Sequence, residues 1–171
     1  MPGYAALLRA VNVSGTGKLP MTELKRMGDE CGFTGVRTYI ASGNLIFASP
    51  ASEAKVVALL DAQVERWFGK AVPVMVRNAD ELAAIVAANP FPDVAGNRLG
   101  VSFLAAAPDP DLLDQVRGRQ DERTALGTRE VYIAYGAGMA DSKLTFPGMG
   151  TATARNMNTV RKLAELAAEV A

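Results

Sequence analysis

Short apolar runs and longer helical stripes alternate along the chain. GYAALLRAVNV opens with an apolar run of the length expected for a strand buried on both faces. In PMTELKRMGDECGF, Leu24, Met27 and Cys31 recur at helical spacing, Pro20 suits a first turn and Gly32 a stop. VRTYIASGNLIFAS reads as two strands around SGN, a hairpin signal because Gly43 and Asn44 tolerate positive φ. SEAKVVALLDAQVERWFG predicts a helix capped by Ser49 or Ser52, with Val56, Leu59, Leu60, Val64 and Trp67 as its buried stripe. AVPVMVRN is a strand that Pro73 places at an edge or a start. Residues 1–77 therefore run β-α-β-β-α-β, the order of a ferredoxin-like plait.

The second half repeats this more loosely. ADELAAIVAAN predicts a helix ended by Pro90, RLGVSFLAA a strand, DPDLLDQVRGR a short helix, and TREVYIAYG a strand with Val131, Ile133 and Tyr135 on alternate positions. The glycine-rich stretch before Ala152 reads as loop, with room for a helical turn around Lys143. ARNMNTVRKLAELAAEV reads as a closing helix starting near Thr153. The expected fold class is α+β: two ferredoxin-like alpha-beta plaits, over 1–77 and 78–171, on a shared core and forming one compact unit. No stretch between them is rich enough in Gly and Ser to act as a flexible linker.

Charge adds a second pattern. The 171 residues carry 18 Lys plus Arg against 18 Asp plus Glu. Zero net charge argues against a role on bulk nucleic acid or an acidic membrane. Both ends are nevertheless locally basic. Arg9 and Lys18 are the only charges over 1–22, and Lys143, Arg155, Arg161 and Lys162 the only ones over 142–164. One cysteine, Cys31, rules out an internal disulfide and suits a cytoplasmic location. No run is long and apolar enough to span a membrane.

Several chemistries drop out. With no histidine there is no Ser-His-Asp triad, no Cys-His pair and no histidine metal site. Neither a metal nor another cofactor is expected. NVSGTGK resembles a phosphate loop, but Asn12 stands where its first glycine belongs and Leu19 where its hydroxyl belongs. The loop candidates NVSGTGK, SGN and TATARNMNT hold hydroxyls, amides and cations without a carboxylate, a set suited to gripping an anion. The expected ligand-binding residues are Arg9, Asn12, Ser14, Lys18, Ser42, Asn44, Arg155, Asn156 and Thr159. A helix beginning near Thr153 would put Arg155, Asn158, Thr159 and Lys162 on one face beside its free amides.

LLRAVNVSGTGKLPMTEL, GFTGVRTYIASGNLIF and TARNMNTVRKL together resemble the Domain of Unknown Function 1697 family, in order and over essentially the whole chain. The resemblance implies a cytoplasmic, mainly bacterial protein of two alpha-beta plaits, and no particular reaction. The family commonly has glycine at the positions of Ala10 and Ser14, and tryptophan where Met157 stands.

The leading expectation is a module that binds a phosphorylated small molecule or an RNA end, with no membrane partner and an open oligomeric state. One alternative is a small-molecule enzyme using Lys18, Arg155 and Tyr39. The other is a protein-interaction domain.

Overall fold

The computed structural model describes residues 1–12, 18–136 and 138–171. It is a mixed α/β structure with four α-helices and two antiparallel four-stranded sheets among these residues. The chain divides into two compact units, Met1–Ala83 with Lys162–Ala171, and Ala84–Arg161.

The first unit runs β1 (Gly3–Leu8), α1 (Met21–Glu30), β2 (Thr34–Thr38), β3 (Asn44–Ala48), α2 (Glu53–Phe68) and β4 (Val74–Asn78), followed by α3 (Ala79–Ala87). The sheet order is β2-β3-β1-β4. Both inner strands, β1 and β3, are buried along their whole length, which explains their unbroken apolar sequence. One face carries Tyr4, Ala6, Leu8, Leu45, Phe47, Val74 and Val76 and packs with Leu24 and Met27 of α1 and Val56, Leu60 and Val64 of α2. Phe33 stacks on Phe47 with ring centroids 4.0 Å apart. On the opposite face Gly3 lies so close to the helix α4 (Met157–Val170) that a Cβ there would fall 1.9 Å from the Ala167 carbonyl oxygen.

Helix boundaries follow local chemistry. The Ser52 hydroxyl accepts from Lys55 N, and Gly69 ends α2 in the left-handed conformation. Pro20 lies just before α1 rather than inside its first turn, and its carbonyl accepts from Glu23 N and Leu24 N. The hairpin between β2 and β3 spans residues 39–43. Gly43 (φ 93°) supplies its left-handed turn together with Ile40 (φ 52°), while Asn44 is already in β3. Trp67 differs from the expected stripe: it is 41% exposed at the last turn of α2, where the helix has run past the sheet-facing stripe ending at Val64.

The second unit holds β5 (Leu99–Phe103), β6 (Arg123–Leu126), β7 (Glu130–Ala134) and β8 (Thr153–Asn156), in the order β6-β7-β5-β8. Its connections carry no α-helix among the described residues. DPDLLDQVRGR forms only a 3-10 turn at Leu112–Gln115, which buries Leu112 alone. The glycine-rich stretch has its turn at Met149–Thr151 rather than around Lys143. Leu112, Leu144 and Phe146 come from these loops to cover Val131, Ile133 and Tyr135. Arg117 and Thr145 fasten the two loops together through backbone bonds of 2.9 and 2.8 Å.

The closing helix starts at Met157, not near Thr153. Residues 153–156 instead complete the sheet against β5, with Val101 opposite Arg155. Backbone groups on the open edge of β5 take partners from this segment, which outweighs the helical reading of the sequence.

Candidate functional site

Three segments of the first unit meet beyond the end of β1. Leu8 N donates to the Gly43 carbonyl at 2.9 Å, and Arg9 N to the Pro73 carbonyl at 3.0 Å. The backbone then enters left-handed conformations at Ala10 (φ 54°) and Asn12 (φ 57°). Asn12 is the tie. Its Nδ2 donates to the Leu19 carbonyl at 2.7 Å and to the Ala41 carbonyl at 2.9 Å, while its Oδ1 accepts from Leu19 N at 2.7 Å. One carboxamide thus closes the loop between residues 12 and 19 and ties it to the hairpin. Ser14 lies in that loop, outside the described residues.

The hairpin is braced by a second carboxamide. Asn44 is fully buried, and its Nδ2 donates to the Tyr39 carbonyl at 2.9 Å and to Ser42 Oγ at 3.2 Å. Gly43 is required here twice over, by its φ of 93° and because a Cβ would lie 2.5 Å from Val11 Cγ2. From the other side the Trp67 indole N–H donates to the Lys18 carbonyl at 2.9 Å.

The structure therefore brings Arg9, Asn12, Lys18, Ser42 and Asn44 to one junction. Both amide protons of Asn12 and of Asn44 are spent on holding chain. The cationic groups differ. Among the described residues neither Arg9 nor Lys18 is in an ion pair, and the buried Nε of Arg9 has no hydrogen-bond partner. Residues 8–12, 18–20 and 39–44 contain no Asp or Glu. Among the described residues three non-glycine ones, Ala10, Asn12 and Ile40, have positive φ, and all three belong to this junction. Each such conformation costs about 1 kcal/mol or more, and strain of this kind gathers at functional sites.

Arg155, Asn156 and Thr159 lie in the second unit. Arg155 is on β8 and buried alongside Thr153, so it does not share a helix face with Asn158, Thr159 and Lys162. Its Nη1 donates to the Ala154 carbonyl at 2.8 Å, and burial lowers its pKa to about 10. Asn156 caps α4, its Oδ1 accepting from Thr159 N at 2.9 Å. Lys162 pairs with Glu165 at 3.4 Å. The Thr153 hydroxyl is buried without a hydrogen-bond partner.

Two features were not legible from sequence. Glu122 is buried, and its carboxylate accepts from Ser142 Oγ at 2.6 Å and from Gln120 N at 2.9 Å. These bonds bring its pKa down to about 2, the serine hydroxyl contributing most. A pocket of about 310 Å³ lies among Asp114, Gln115, Val116, Arg117 and Pro147. Cys31 is half-buried at the end of α1, and desolvation raises its pKa, as expected of a packing residue rather than a nucleophile. No group of three or more His, Cys, Asp or Glu gathers as a metal site among the described residues.

Comparison with known proteins agrees with this architecture. A family model described as "Protein of unknown function (DUF1697)" matches residues 1–132. The solved structure of a conserved bacterial protein from Streptococcus pneumoniae is similar over 97% of this chain and 98% of that one, with a TM-score of 0.79 at 23% sequence identity. That likeness is one of fold. No curated protein matches the chain.

Proposed function

The chain belongs to the DUF1697 family of proteins of unknown function, and we propose that it is a cytoplasmic module binding an anionic, phosphorylated ligand at the loop junction of its first unit. The strand order β2-β3-β1-β4, with α1 and α2 on one face, supports reading that unit as a ferredoxin-like plait. The sheet acts as a rigid platform, and the ligand sits on loops at its edge.

One observation carries the reading. Asn12 holds the loops together with its own hydrogen-bonding capacity, and leaves beside them an Arg9 Nε that is buried yet unsatisfied. A buried donor without a partner is costly, by about 1–3 kcal/mol, and an anion toward which the Arg9 guanidinium turns outward would remove the cost. Lys18 adds an exposed charge, and Ser42 a hydroxyl whose partner Asn44 fixes its place. With no histidine in the chain and no acid in these segments, the junction favours holding a ligand over acid-base chemistry.

The test is a titration of isotope-labelled protein with pyrophosphate, followed by amide chemical shifts. The expected result is a saturable shift of the Arg9, Lys18 and Ser42 amides, reduced at least tenfold in affinity by Lys18→Ala and by Arg9→Met, and weakened by added salt. Unchanged spectra at millimolar ligand overturn the reading.

A further inference from the structure

The chain has one tryptophan, and it is spent on the surface. Trp67 ends α2, whose buried positions are Val56, Leu60 and Val64. The indole nonetheless is not a loose surface ring. Its N–H is fixed on the Lys18 carbonyl, within the same loop connection that Asn12 clamps. A large aromatic held in one orientation while 41% of it stays open has already lost the freedom that ligand binding would otherwise cost.

A second apolar group accompanies it. Among the described residues three large hydrophobic side chains are conspicuously exposed, those of Met1, Ile40 and Trp67. Ile40 lies next to Ala41, whose carbonyl Asn12 grips, and Trp67 grips the carbonyl of Lys18. Ile40 is 48% exposed at a φ of 52°. A β-branched residue is among the worst choices for that conformation, and glycine would take it without strain.

The segments that Asn12 ties together thus carry a fixed aromatic ring, an exposed aliphatic side chain and two cations that, among the described residues, are in no ion pair. A flat, weakly polar ring joined to a phosphate matches this set. We propose that the first unit binds a nucleoside 5′-phosphate, free or at the end of an RNA chain, with the base against Trp67 and the phosphate toward Lys18 and Arg9. This rests on the anion-binding reading and adds the base to it. Stacking on an aromatic side chain tolerates any base, so selectivity is for a base over a bare sugar phosphate rather than among bases.

Because Trp67 is the sole tryptophan, native fluorescence reads its environment directly. The probes are adenosine 5′-monophosphate, ribose 5-phosphate, adenosine, and RNA tetramers with a 5′-phosphate or a 5′-hydroxyl. Expected is quenching by the monophosphate, with affinity about 5- to 150-fold above that of ribose 5-phosphate, the span that base–aromatic stacking supplies. By calorimetry, Trp67→Ala abolishes that advantage, while Trp67→Phe, which keeps a ring and loses the N–H, preserves most of it. A 5′-phosphorylated tetramer binding tighter than both the monophosphate and the 5′-hydroxyl tetramer identifies an RNA end; equal or weaker binding identifies the free nucleotide.

Ribose 5-phosphate binding as well as the monophosphate overturns the base site and leaves the anion reading standing. Adenosine binding as well as the monophosphate overturns the phosphate half. Trp67→Phe losing as much as Trp67→Ala shows that the indole only anchors the loop, and no binding by any probe removes both readings.

Discussion

Arg77 and Arg155 occupy equivalent places in the two sheets. Each is the penultimate residue of the outer strand paired with its sheet's inner strand, β4 against β1 and β8 against β5. Each is buried, at 2% and 8% exposure, and each donates Nη1 to the carbonyl of the residue just before it, at 2.9 and 2.8 Å. Each is followed by an asparagine that caps a helix: Asn78 Oδ1 accepts from Glu81 N at 2.8 Å, and Asn156 Oδ1 from Thr159 N at 2.9 Å. The matching strand orders and the shared Arg-Asn corner make the two sheets variants of one design.

The caps give a direct prediction. Asn156→Ala should destabilise the protein by about 1 kcal/mol, and Asn156→Asp should be close to neutral, since aspartate caps as well and its charge favours a helix N-terminus. Asn78→Ala should cost about as much, because it removes the bond from Glu81 N to Asn78 Oδ1 and keeps the backbone Asn78 N that donates to Glu81 Oε1 at 2.9 Å. Urea denaturation measures each. A loss below a few tenths of a kcal/mol at both positions contradicts the assignment.

Asn12 should be more sensitive than its surface position suggests. Asn12→Ala removes three hydrogen bonds and leaves an L-residue at φ 57°, so a loss of about 2–4 kcal/mol is expected. Asn12→Gly removes the same bonds but takes that φ freely, and should lose about 1 kcal/mol less. Equilibrium unfolding of the two variants checks the order, and the reverse order refutes the strain argument.

Ile40→Gly should leave stability unchanged or raise it by up to about 1 kcal/mol, because the strained φ is relieved at an exposed position. Thermal unfolding is the measurement. A clear loss of stability would mean that the side chain is held for packing.

Glu122 sets an acid limit. Its folded pKa is about 2, against an ordinary 4.5, so its contribution to stability is fully present above about pH 4.5 and is lost as pH falls toward 2. Ser142→Ala removes the strongest cause of that depression. The carboxyl should then titrate at higher pH and acid unfolding should begin at a higher pH than in the unaltered protein. Carboxyl chemical shifts and circular dichroism across pH 2–6 test this, with Glu122→Gln flattening the dependence.

Sequence patterning served the first unit well for a physical reason. Its inner strands are continuous apolar runs, and Leu24, Met27, Val56, Leu60 and Val64 recur at helical spacing, so local pattern and core agree. The strand β8 looks helical in sequence because Thr153–Asn156 is four residues long, contains a buried arginine, and adjoins an amphipathic helix whose pattern extends over it. β6, also of four residues, left no signal of its own. At the candidate site, residue types in the opening loop and hairpin marked the segments. Their joint arrangement was hidden, since Asn12 bonds to Ala41, 29 positions away, and Lys18 to Trp67, 49 away. Trp67 itself was hidden by continuing a stripe one turn too far.

The helix α4 is divided by contact between the units, with Lys162–Ala171 grouped with the first. Its Glu169 pairs with Arg37 at 2.8 Å, and its Ala167 carbonyl abuts Gly3. During synthesis these residues follow the 78 of the intervening unit, so they emerge roughly 4–16 s after residue 83 at ordinary elongation rates. Until then Gly3 lacks its Ala167 neighbour and Arg37 its Glu169 partner, so the first sheet stands without these contacts while the second unit is being made.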